Sequence, residues 1–127
     1  MTKKFYVSFA LADSMFNGKY STIERQQINE DLAKNLINSA KNDGTFTPCF
    51  NPSHVATLEA IEARFSIHLG HLDKPPVVQL NEGDILLVIG VRGLPRLTDR
   101  HEYTSDEIAK ATFNFTVYNV TVSLEMP

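Results

Sequence analysis

The stretch PVVQLNEGDILLVIGV, residues 76–91, sets two apolar runs on either side of Asn81-Glu82-Gly83-Asp84. Asn, Asp and Gly are turn formers, and Gly83 can take a positive φ without steric penalty. Two apolar runs joined by such a turn predict a β-hairpin, the strongest local signal in the chain.

Upstream, KFYVSFALA over residues 4–12 concentrates aromatic and β-branched residues, the pattern of a strand buried on both faces and therefore central. YSTIER, residues 20–25, is a weaker strand. In NEDLAKNLINSAKNDG, residues 29–44, Asn29 stands as N-cap, Leu32, Leu36, Ile37 and Ala40 share a face, and Gly44 ends the helix. Pro48 removes a ladder donor from TFTPCF, residues 45–50, so this short strand belongs at an edge or a bulge. After Ser53, the expected N-cap, Val55, Leu58, Ile61 and Phe65 recur at helical spacing and mark a second helix.

Downstream of the predicted hairpin, TSDEIAKA opens a short helix at Thr104 or Ser105, and FNFTVYNVTV reads as a strand. Phe113, Phe115 and Val117 share one of its faces, whereas Val120 and Val122 share the other. Either a bulge or cover on both sides accounts for that change of phase. The order of elements implies an α/β fold: a mixed β-sheet of about five to six strands with two longer helices and one short helix packed on it.

At 127 residues the chain makes one domain, residues 1–127. Its formal charge of -3 excludes a strongly basic surface, so duplex nucleic acid is not an expected partner. No apolar run approaches the roughly 18 residues of a membrane helix, and the first residues lack the pattern of a secretion signal. Cys49 stands alone and permits no intrachain disulfide. The expected setting is the cytoplasm, with no membrane partner. Asn114-Phe115-Thr116 and Asn119-Val120-Thr121 match the glycosylation sequon and, without a secretory route, read as ordinary strand residues.

Histidine is a poor default at a helix start, which draws attention to His54. First-turn amides lack helical partners and the macrodipole favours an anion there, so the end formed by Ser53 and His54 can receive a phosphate. Thr57, three residues on, can face the same way. A histidine beside a phosphodiester has the pKa to protonate a leaving alkoxide; the plain alternative is a capping or solvent-facing side chain. Arg92, Arg96 and Arg100 follow ILLVIGV among Gly and Pro, where guanidinium forks can hold phosphate oxygens or simply form a solvated loop. His68 and His71 have metal-ligand spacing, but Asp73 is the one further ligand nearby, so no metal site is read. Cys49 reads as a small core residue, since no charge partner adjoins it.

Taken together, SHVAT with His54 and Thr57, LNEGDILLVIGVR, and TSDEI followed by FNFTVYNV resemble the viral type III anti-CRISPR ring nucleases. The resemblance spans about residues 4–120 and covers the order of elements as well as these motifs. It implies a homodimer that binds cyclic tetra-adenylate across its two-fold axis and cleaves it with no cofactor or metal. A ribose 2′-hydroxyl attacks the neighbouring phosphorus in that family, with the family histidine as general acid. His54 takes that role by resemblance, and Arg92 that of the phosphate-binding arginine.

The chain also departs from the family pattern. Ser53 and Ala56 replace a glycine and a serine around the histidine. Phe9 and Ala12 stand where relatives carry Asn and Ser, with Ser14 the nearest hydroxyl. Pro75 replaces an arginine, with Lys74 adjacent, and Pro95 or Arg96 falls at a glutamate position. A ligand cleft on this reading draws on His54, Ser53, Thr57, Lys74, Arg92, Arg96 and Ser14. Two other functions remain open: a binder that sequesters a nucleotide without cutting it, and an inhibitor that acts on host machinery through protein contacts.

Overall fold

Phe5, Tyr6, Val7 and Ser8 are all buried and form the first strand, β1 (Phe5–Ser8), of the computed structural model, which describes residues 3–16, 21–98 and 102–122. The strand stops short of Ala12. The Ser8 hydroxyl accepts the Ala10 N–H at 3.1 Å, and a 3-10 turn follows at Asp13–Met15. The remaining elements are β2 (Ser21–Ile28), α1 (Glu30–Asp43), β3 (Phe46–Pro48), α2 (Val55–Phe65), β4 (Ile85–Arg92), α3 (Ser105–Lys110) and β5 (Thr112–Val122). They form the expected mixed sheet of the α/β class, with five strands in the order β2-β5-β4-β1-β3.

β1 lies between two parallel partners, β3 and β4, as a doubly buried strand should. Pro48 sits in β3 at one edge of the sheet, where its missing N–H removes no ladder bond from a central strand. β5 runs antiparallel to both β4 and β2, and both of its registers are uninterrupted. Its change of phase therefore reflects cover on two faces. Phe115 packs beneath the helices, and Val120 packs on the opposite side.

The predicted hairpin does not form. Its turn is present, with Asp84 N–H donating to Asn81 O at 2.9 Å and Gly83 at φ 91°. The run before the turn is not a strand of the ladder: Leu80 makes an isolated parallel bridge with Phe16, and its N–H donates to Met15 O at 2.7 Å. The reason is steric occupancy, because β1 and β5 already hold both edges of β4. Val78 and Leu80 instead cover the second face of the sheet, buried against Tyr6, Leu86 and Val120.

On the first face α1 buries Ala33, Ile37 and Ala40, and α2 buries Leu58, Ile61 and Phe65, over Phe5, Val7, Leu87 and Ile89. Asn29 caps α1 by accepting the Leu32 N–H at 2.9 Å, and Gly44 closes it in the left-handed conformation at φ 74°. Leu32, expected on the buried face, is exposed; the face rotates toward Ala33, since small residues let α1 approach the sheet.

Asp84 ties the turn to β1. Its buried carboxylate accepts the Lys4 N–H at 2.9 Å and the Asn81 N–H at 3.0 Å. Asp84→Ala removes both of these bonds, and charge-assisted bonds of this kind are worth about 1.5–3 kcal/mol each. Urea unfolding should show a loss of about 2–4 kcal/mol in stability with an unchanged m-value, and a smaller loss for Asp84→Asn.

Candidate functional site

Strands β1, β3, β4 and β2 run in one direction, and ligands in open α/β sheets gather beyond the carboxyl ends of such strands. At that end, after β3, α2 begins. Asn51 Oδ1 accepts the Ser53 N–H at 2.9 Å and Asn51 O accepts the His54 N–H at 2.9 Å, which closes a 3-10 turn over Pro52–His54. The N-cap position of α2 consequently falls on His54 rather than on Ser53, because Asn51 and Pro52 start the turn before the helix proper. His54 makes no side-chain cap bond.

A cavity of about 450 Å³ opens beside this helix start. His54 and Thr57 reach it from α2, Phe9 from the residue after β1, and Ile89, Gly90 and Val91 from the end of β4; Leu94 and Tyr103 complete the lining. The Phe9 ring packs 4.6 Å from Phe50 and meets His54 edge-on at 6.1 Å between centroids. Among the described residues the His54 ring nitrogens, the Thr57 hydroxyl and the Tyr103 hydroxyl have no hydrogen-bond partner. Three uncommitted polar groups thus converge on an otherwise apolar cavity, the usual composition of a small-ligand site.

Tyr103 is placed by the helix that follows it. Thr104 caps α3 by accepting the Glu107 N–H at 3.1 Å, while Glu107 Oε1 accepts the Thr104 N–H at 2.8 Å. Arg64 of α2 then holds the other end of α3, donating to the carbonyls of Ile108 and Ala109 at 3.1 and 3.0 Å. Its guanidinium also lies over the rings of Phe65 and Phe113 at 5.9 and 5.8 Å. No motif of the sequence marks Tyr103, because its meeting with His54 at the cavity depends on how α2 and α3 pack. The one available signal was its position before a capping box.

Of the residues singled out in the sequence, the structure brings His54 and Thr57 to the cavity. Ser53 is exposed just before His54 and does not line it. Arg92 ends β4, where strand alternation gives Val91 to the cavity and Arg92 to the opposite face, exposed. Lys74 and Arg96 are exposed in loops outside the lining; Ser14, exposed in the 3-10 turn, also lies outside it, and its carbonyl accepts the Gln79 Nε2–H at 2.9 Å. Arg100 lies outside the described residues.

His68 Nδ1 sits 3.3 Å from Glu62 Oε2, a carboxylate that also accepts the Leu69 and Gly70 N–H groups at 2.7 and 3.0 Å. This histidine thus belongs to the bonding that fixes the loop after α2. No group of three or more metal-ligating side chains forms among the described residues.

No family model matches the chain, and no curated protein matches it. Among solved structures it is similar to B116 of Sulfolobus turreted icosahedral virus, with a TM-score of 0.71 and 20% identity over 91% of this chain and 98% of that one. The two proteins share their fold, so this mixed sheet also occurs in a virus protein. No helix of the described residues is long and apolar enough to cross a membrane.

Cys49 stays outside the cavity and packs against the second core cluster. Burial pushes its thiol pKa from 9.0 up to about 11, because the thiolate loses hydration. The thiolate is the reactive form, so at pH 8 iodoacetamide should modify the native protein about a hundredfold more slowly than the urea-unfolded chain. The native rate should climb as the pH is raised toward 11. Mass spectrometry of timed samples checks both.

Proposed function

We propose that this chain is a viral or mobile-element protein whose cavity binds a nucleotide, with His54 poised as general acid toward a phosphodiester at its mouth. The observation that carries this reading is the meeting of His54 and Thr57, both uncommitted, with an aromatic-lined cavity of about 450 Å³ at the strand ends. The shared fold with a virus protein and the motif resemblance to the ring nucleases support it from two directions. Cyclic oligoadenylate is the ligand that the resemblance suggests. In such a reaction the 2′-hydroxyl gives up its proton to solvent as its oxygen bonds to phosphorus, the P–O5′ bond breaks to leave a 2′,3′-cyclic phosphate, and His54 in its protonated form gives a proton to the departing 5′ oxygen.

A second reading is favoured by a specific feature of the cavity: Lys74, Arg92 and Arg96 do not line it. A phosphoryl transition state gains much of its stabilisation from cations held against the equatorial oxygens. Among the described residues of one subunit no Lys or Arg lines the cavity to supply that stabilisation, so cleavage of cyclic tetra-adenylate should be slow and sequestration of a nucleotide becomes the stronger function. A homodimer would let one subunit supply cations to the other, and the two-fold symmetry of an isologous pair suits a cyclic ligand.

Titration with cyclic oligoadenylates of several ring sizes, followed by chromatography of the products, tests the reading. Slow or absent formation of di-adenylate is expected, with measurable binding. Where cleavage occurs, His54→Ala should slow it by about a hundredfold or more and leave affinity nearly unchanged, and EDTA should have no effect. No binding of any nucleotide would leave action on host machinery through protein contacts as the better account. Sedimentation at tens of micromolar, a rough range for specific association, should show a dimer.

A further inference from the structure

Among the described residues, the lining of the cavity contains no Lys, Arg, Asp or Glu. A phosphate placed deep inside it, away from His54, would give up hydration with no charged side chain of the described lining to replace it, which is unfavourable. The same walls offer two aromatic side chains from distant parts of the chain, Phe9 and Tyr103, together with the apolar surfaces of Ile89, Val91 and Leu94. We infer that the cavity takes the uncharged, flat part of a nucleotide, its nucleobase, against Phe9 and Tyr103, and leaves sugar and phosphate at the mouth near His54. This inference rests on the nucleotide-binding reading of the same site.

Size and polarity agree with that assignment. About 450 Å³ lies within the range of sites that enclose a compact ligand. A purine or pyrimidine needs apolar or aromatic contact on its faces and a few hydrogen-bonding groups at its edge. Phe9 is held in place by its tilted contact with Phe50, so its ring is a fixed surface. The Tyr103 and Thr57 hydroxyls, both without partners among the described residues, are the groups able to read the edge of a base. His54 is the exposed member of the lining and stands where the ligand would pass from base to backbone.

Calorimetric titration of the purified protein with adenosine, AMP, ribose 5-phosphate and cyclic tetra-adenylate separates the possibilities. Adenosine should bind within about threefold of AMP, and ribose 5-phosphate at least about tenfold more weakly, since stacking of a base is the larger contribution. Phe9→Leu and Tyr103→Leu should each weaken adenosine binding by about tenfold, whereas Tyr103→Phe should retain most of it. If Phe9→Leu fails to fold, Tyr103→Leu decides, because Tyr103 belongs to neither core cluster. Ribose 5-phosphate binding as tightly as AMP overturns the inference and leaves the nucleotide reading standing. So does binding confined to cyclic tetra-adenylate, or adenosine affinity unchanged in Tyr103→Leu. No response to any of the four ligands overturns both.

Discussion

A strand with parallel neighbours on both sides cannot be joined to them by tight turns, and β1 is such a strand. The chain must cross over the sheet to return in the same direction, which requires connecting segments long enough to hold helices. α1 and α2 are those crossings, and both bury their apolar faces on the same side. With β1, β3 and β4 aligned, the start of α2 is carried to the end where these strands finish. His54 stands at the cavity because of that strand direction.

Among the described residues no α-helix packs on the other face of the sheet. Met15, Phe16, Val78 and Leu80, all in segments between regular elements, pack over Tyr6, Leu86 and Val120. The two segments are joined to each other by the Phe16 and Leu80 bridge and by the bond from the Gln79 side chain to Ser14 O. Asp84 then fastens the end of the second segment to the residue before β1. The sheet is thus held between a helical layer and a thin layer of irregular chain, and the cavity opens on the helical side.

Much of this was legible in the sequence because it depends on local chemistry. Pro48 predicted an edge or a bulge and stands at an edge, Asn29 and Gly44 bounded α1, and the unbroken apolar run around β1 predicted burial on both faces. The residues 76–80 misled for a physical reason. Val78 and Leu80 are buried while Val77 and Gln79 are exposed, the alternation of a half-buried strand, yet alternation says nothing about whether an edge is free to pair. The candidate site divides in the same way. His54 and Thr57 share one helical turn and could be read together, whereas Phe9 and Tyr103 meet them only through packing between distant segments. The arginines after β4 looked like cleft residues from their position in the chain, but strand alternation turns Arg92 to the other face.

β2 is the outermost strand of the described sheet on one side, eight residues without proline and, among the described residues, with no strand paired to its outer edge. Such an edge invites a second copy of itself. In a two-fold antiparallel pairing the side chains opposite one another must lie on the same face, so the axis has to pass through a residue. The two registers that would use almost the whole strand centre on Glu24 or on Arg25, and each sets a charge against its own copy. Like charges directly opposite are destabilising in a sheet. The strand therefore carries its own protection against open-ended growth, and these two registers disfavour this edge as a surface for pairing with a second copy.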